Sequence, residues 1–173
     1  MAMLSVAEAQ ARILADVAPT VSEDVDLLAA DGRVLACGHV AKLTQPPFHA
    51  SAMDGYAVRA ADVASLPARL RIVGEAAAGH PFAGSVGAGE AVRIFTGAPL
   101  PAGTDAIVIQ ENTAREGDAV VIREGALDPE HVRPKGGDFA AGAELLSAGH
   151  ALTPRDLTLA AAMGYARLTV RRR

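Results

Sequence analysis

Apolar positions recur with two different periods along this chain, and the change of period divides it. Near the N-terminus, Val6, Ala9, Ile13, Leu14 and Val17 fall on one helical face. Ser5 and Glu8 open that run with capping-box spacing, and Pro19, which has no backbone N–H, closes it. A short strand is expected at 25–27, a helical turn around Asp31, Gly32 and Arg33, and extended chain at 39–43. From Gln45 the character changes. Pro46 and Pro47 exclude a helix, and short β-prone runs follow at 56–59, 70–75, 91–95, 106–110 and 119–123. Turn residues at 79–89, 97–103 and 116–118 separate them. Five short strands at this spacing predict a small β-barrel or sandwich. Beyond Asp138 the helical pattern resumes. Thr153 precedes Pro154 as an N-cap, with Asp156 in the first turn and Gly164 as the stop, and 167–170 alternates as a strand would. The expected fold class is therefore α+β, β-rich. A discontinuous, elongated α/β domain (1–45 plus 139–173) carries an inserted β-barrel or sandwich-like domain (46–138).

Composition narrows this picture. A chain of 173 residues that is 50% hydrophobic can bury a real core, but with 3% aromatics and no Trp that core must be aliphatic. A net charge of -4 argues against a nucleic-acid partner, and the only basic run is Arg171, Arg172 and Arg173. Cys37 is the single cysteine, which excludes an intramolecular disulfide and a thiolate-only zinc site. The first residues carry no secretory pattern, and no apolar run reaches the roughly 18 residues of a membrane span. A cytoplasmic protein with no membrane partner is expected.

Three segments carry candidate chemistry. In 46–58, the Pro pair stiffens the approach to a turn presenting Ser51 and Asp54, with Gly55 next. In 93–103, Thr96 and Gly97 follow a strand, where consecutive N–H groups can form an anion nest. In 133–138, Arg133 and Lys135 with Gly136 and Gly137 suit an oxyanion, and Asp138 suits a metal or a developing charge. Taken alone, each segment also reads as an ordinary turn: Asp54 as a turn cap, 97–103 as a rigid loop, 133–138 as a solvated one. Glu111 reads as a metal ligand or as one half of an ion pair. His39, His49, His80, His131 and His150 show no metal-binding spacing, and 84–89 lacks the ending of a phosphate loop.

In order, SAMDGYAV, RIFTGAPLPAGTDAIV and RPKGGDFAAG resemble the MoeA family, which includes the E domain of gephyrin. The opening DLLAADGRVLA and the closing LTPRDLTLAAAMGYARLTV extend the resemblance over nearly the whole chain. The resemblance implies the N-terminal region, the first two domains, of a molybdopterin molybdenumtransferase. Such enzymes act in molybdenum cofactor biosynthesis: they insert molybdenum from molybdate into adenylyl-molybdopterin, with Mg2+ present, and release AMP. It implies a homodimer, with molybdopterin adenylyltransferase as the upstream partner. Carried onto this sequence, it makes Asp54, Thr96 and Asp138 catalytic, with Asp54 also a metal ligand. Ser51, Gly97, Arg133 and Lys135 become substrate contacts. Where the family has an acid and an amide after Phe48, this chain has His49 and Ala50. The family continues past the position of Arg173 into a nucleotide-binding domain, so the chain alone is expected to be inactive. The alternative expectation is a non-catalytic dimerisation or interaction module.

Overall fold

The computed structural model describes residues 3–125 and 127–173. In chain order the helices are α1 (Val6–Leu14) and α2 (Pro154–Ala162). The strands are β1 (Ser22–Asp26), β2 (His39–Val40), β3 (Ala50–Ser51), β4 (Gly55–Val58), β5 (Ala68–Ala76) and β6 (Glu90–Ile94). They continue as β7 (Ala106–Ile109), β8 (Thr113–Glu116), β9 (Ala119–Ile122), β10 (Val132–Arg133), β11 (Glu144–Leu146) and β12 (Arg167–Arg171). The chain forms two compact units, Met1–Leu43 with Ala141–Arg173, and Thr44–Ala140.

In the first unit, β1 pairs antiparallel with β12 from Ser22↔Arg171 to Asp26↔Arg167, and β2 pairs with β11. Leu35, Met163, Leu168 and Val170 are fully buried beside Ala160 of α2. Both helices begin as their sequences predict. Asp156 Oδ2 accepts from the Thr153 N–H and hydroxyl at 2.8 and 2.6 Å, and Glu8 Oε2 accepts from the Ser5 N–H at 2.9 Å. The α1 helix stops at Leu14, short of Pro19, because a proline ring clashes with the carbonyl four residues before it, here that of Ala15. None of α1 is buried: Ile13 is 72% and Leu14 62% exposed. The helical turn expected around Asp31 lies earlier, as a 3-10 turn at Leu27–Ala30. Gly32, at φ +65°, sits in left-handed backbone that ends it.

The second unit is built on one six-stranded sheet of order β7-β4-β6-β5-β9-β8, antiparallel except for β5 and β6. Alternation along the strands sends residues to both faces. Tyr56, Val58, Leu70, Val108, Val120 and Ile122 form one core. Ala57, Val92, Ile94, Ala98 and Ile107 form another on the opposite side. The first draws side chains from both β7 and β9, so the sheet curls around it, yet β7 and β8 remain unpaired edges. The unit is thus an open curled sheet, covered on both faces, within an α+β, β-rich fold. A sixth strand, β8, was not expected. It pairs with β9 from Thr113↔Ile122 to Glu116↔Ala119, across the turn Gly117-Asp118. Its residues are polar because it is an edge, and charge on an edge strand discourages pairing with other chains.

Candidate functional site

The site-bearing residues of the second unit lie in segments that come off this sheet. Strand β4 is central, paired with β6 on one side and β7 on the other. Asp54 immediately precedes it, so the carboxylate sits at the end of a rigid strand. Thr96 follows β6, the neighbour of β4, which brings the two together. Asp54 Oδ1 accepts from the Thr96 N–H and from its hydroxyl, both at 2.8 Å. These bonds hold the Asp54 carboxyl below its ordinary range. The Thr96 backbone N–H has the largest effect and its hydroxyl the next, partial desolvation opposes them, and the Arg93 charge adds a smaller lowering. Asp54 is therefore ionised at neutral pH.

Arg93 had no assigned role in the sequence and has a clear one in the structure. Its Nη1 donates to the Gly55 carbonyl at 3.0 Å and its Nη2 to Gln110 Oε1 at 2.7 Å. The guanidinium lies 4.6 Å from the Phe95 ring centroid and 5.3 Å from that of Tyr56. The Gln110 N–H in turn donates to the Asp54 carbonyl at 3.1 Å. The Asp54-Gly55 turn is thus fixed through both its carbonyls. Gly55 itself is required there, since an added Cβ would overlap the Val108 carbonyl. The signal for Arg93 was a cation beside the Thr-Gly loop, but its partner Gln110 is 17 residues away. Glu111, expected in an ion pair, instead accepts from Gln110 Nε2 at 3.4 Å.

Two expectations for this region take a different form. The N–H groups of 96–98 do not form an open anion nest. Thr96 N–H serves Asp54, Gly97 N–H donates to the Ser51 carbonyl at 2.9 Å, and Ala98 N–H to the Phe95 carbonyl at 3.0 Å. The donors are consumed internally, with Asp54 as their anion. Ser51, expected among the substrate contacts, is fully buried in β3. Its hydroxyl donates to the Met53 carbonyl at 2.5 Å and accepts from the Met53 N–H at 3.3 Å. Buried and bonded locally, Ser51 shapes the turn that presents Asp54 and leaves the Gly97 backbone beside it.

The third segment wraps the first. β10 pairs with β3, placing Arg133 opposite Ala50. Gly136 N–H donates to the Pro46 carbonyl at 2.9 Å and Asp138 N–H to the Gln45 carbonyl at 3.0 Å. His49 Nδ1 accepts from the Lys135 N–H at 3.3 Å, so the imidazole ties the first segment to the third. Between the segments lies a cavity of about 560 Å³ lined by Phe48, Gly97, Arg133, Pro134 and Asp138. Lys135 lies outside it, at a neighbouring cavity of about 370 Å³ with His49 and Phe48. Arg133, Lys135 and Asp138 are exposed, and neither cation has a carboxylate partner among the described residues. Asp54 and Thr96 meet directly, while Gly97, Arg133 and Asp138 share the larger cavity. Among the described residues no three His, Cys, Asp or Glu side chains form a metal-binding group. A cavity in the other unit, lined by Val34, Leu35, Arg171 and Arg172 among others, holds none of these residues. No helix among the described residues is long and apolar enough to cross a membrane.

Known proteins are similar to this chain in sequence and fold. The molybdopterin molybdenumtransferase of Nostoc sp. is 40% identical over 156 residues, covering 88% of this chain and 36% of the relative. Molybdopterin molybdenumtransferase 2 of Mycobacterium tuberculosis is 43% identical over 150 residues, covering 84% of this chain and 37% of the relative. The crystal structure of a molybdopterin biosynthesis MoeA protein from Pyrococcus horikosii superposes with a TM-score of 0.85 at 32% identity, covering 96% of this chain and 44% of that one. The chain thus spans between a third and a half of the length of these relatives. The family model describing the MoeA N-terminal region, domains I and II, matches residues 4–164, and the chain belongs to that family.

Proposed function

We propose that this chain supplies one wall of the active cleft of a molybdopterin molybdenumtransferase. The reaction inserts molybdenum from molybdate into adenylyl-molybdopterin and releases AMP. The relatives' names support the activity. The observation that carries the reading is the Asp54 carboxylate locked to Thr96, with the adjacent Gly97 lining a cavity together with Arg133 and Asp138. Molybdate and the substrate phosphates are oxyanions, and Arg133 and Lys135, which have no carboxylate partner among the described residues, are cations that could hold them. Both Thr96 bonds fall on Asp54 Oδ1, which leaves Oδ2 for a ligand. Oxide leaves molybdate as water and so consumes protons, and Asp54 Oδ2 or Asp138 would relay them to it. One or two carboxylates suit Mg2+, which keeps several waters and draws further ligands from substrate phosphates. When bound, it would neutralise phosphate charge.

The reading includes a cytoplasmic homodimer supplied with substrate by molybdopterin adenylyltransferase. The apolar face of α1, exposed in the single chain, supports the dimer. A second reading, a non-catalytic dimerisation or interaction module, is favoured by the same exposed apolar residues of α1. The test uses the chain extended to its relatives' length. Asp54→Ala should lower molybdate-dependent AMP release at least roughly a hundredfold while the melting temperature holds. Full activity in that variant would overturn the assignment.

A further inference from the structure

Among the described residues Phe48 is the only exposed Phe or Tyr side chain, at 41%. A single exposed apolar residue is ordinary on a protein surface, but this one stands on a ridge shared by two cavities. It lines both the cavity of about 560 Å³ and the one of about 370 Å³. Arg133 lines the first and Lys135 the second, so a cation flanks the ring on each side. Pro47 lines both as well, which adds a rigid apolar surface beside the ring. The ridge is held firmly. Pro46 accepts from Gly136 N–H at 2.9 Å, His49 Nδ1 from Lys135 N–H at 3.3 Å, and the His49 carbonyl from Leu100 N–H at 2.8 Å. The backbone on both sides of Phe48 is therefore tied to other loops, and the ring is presented without a loop having to order first.

We infer that Phe48 is a stacking platform for a planar heteroaromatic ring whose attached phosphate is held by Arg133 or Lys135. The chemistry matches the parts: an aromatic face stacks on any flat π system, and the flanking cations take the anion. The inference rests on the transferase reading and deepens it, since it assigns the ring-bearing part of the substrate to this ridge. The ring could be a pterin or an adenine, and both stack.

NMR titration of the labelled chain separates these outcomes. The probes are AMP, a pterin without phosphate, and inorganic phosphate. AMP and the pterin should both move the Phe48 ring resonances through ring-current shifts, and the larger shift identifies which ring the ridge takes. Phe48→Ala should weaken AMP binding roughly five- to hundredfold and leave inorganic phosphate within about twofold. Phe48→Leu keeps the apolar bulk without the π face and should weaken AMP nearly as much. Arg133→Gln with Lys135→Gln should weaken AMP and phosphate together. Equal binding of AMP by the parent, Phe48→Ala and Phe48→Leu would overturn the platform, as would the absence of ring shifts with both ring-bearing probes. If the platform fails while Asp54→Ala still abolishes AMP release in the extended enzyme, the transferase reading stands without it. If Phe48 responds as expected but Asp54→Ala is fully active, the platform stands and the transferase reading falls.

Discussion

Replacing Gly55 by alanine tests whether the wall that carries Asp54 depends on close backbone approach. Gly55 opens β4, between Ile94 of β6 and Ile109 of β7. A Cβ built there would lie 2.9 Å from the Val108 carbonyl carbon and 3.0 Å from the Ile109 Cα, and closer still to the Val108 oxygen. All three are backbone atoms of a paired strand, so no side chain can swing away. Relief requires β7 to move off β4, which disturbs the ladder of four residue pairs from Gly55↔Ile109 to Val58↔Ala106. Overpacking of a close-packed site costs about 1–3 kcal/mol, and a backbone obstacle places this case at the upper end. For a unit on the order of 100 residues, about 3 kcal/mol lowers the melting temperature by roughly 10–20 °C. Gly89→Ala supplies the comparison. Its φ is +72° and no atom lies within 4 Å of the added Cβ, so it carries left-handed strain alone, about 1–2 kcal/mol. Thermal unfolding by circular dichroism, with amide spectra of Asp54 and Thr96, reads both variants. If Gly55→Ala melts no lower than Gly89→Ala, the close approach does not govern the stability of this sheet.

Two further outcomes follow from the other unit. The Thr153 hydroxyl first, then His150 and the Thr153 N–H, lower the Asp156 carboxyl from 3.8 to about 2, so its contribution is present above the ordinary value and lost as pH falls through that window. Urea midpoints should therefore fall more steeply below about pH 4 in the parent than in Asp156→Asn, which has already lost a cap of about 1 kcal/mol; parallel curves would refute this. Under the proposed dimer, Ile13→Glu on the exposed face of α1 should shift sedimentation from dimer to monomer with α2 and the sheets intact, and an unchanged dimer would place the interface elsewhere.

The legible parts of this structure were those whose chemistry is local. Ser5 with Glu8, and Thr153 with Asp156, announce helix starts because the capping groups are three residues apart. The runs around Tyr56, Val92 and Val108 announce strands because apolar residues sit between turn formers. Gly32 misled because glycine inside an alanine-rich run is compatible with a helix until its φ is known. The polar strand Thr113–Glu116 was illegible because its partner, not its own pattern, makes it a strand. The candidate site divides in the same way. Asp54, Thr96 and Asp138 were singled out as polar residues on turns, and the bond between Asp54 and Thr96 spans 42 positions. The anion nest failed as an expectation for the same reason. Thr96 does present donors, but the anion they meet is Asp54 of the same chain.

That internal capture has a consequence for how the wall would work. If the N–H groups of 96–98 were open, a substrate oxyanion would compete with Asp54 for the same region. With Thr96 bound to Asp54, and the Gly97 and Ala98 N–H groups bound to Ser51 and Phe95, the loop holds a fixed negative charge. The positive charge is supplied separately, by Arg133 and Lys135 on the segment that wraps 45–50. Acceptor and donor are thus mounted on different loops, each braced by backbone bonds. Under the proposed reading, oxyanion binding then falls to the cations, and the carboxylate is kept ionised for a metal or a proton. In this arrangement His49 matters through geometry: its Nδ1 holds the Lys135 backbone, and so sets where the second cation begins.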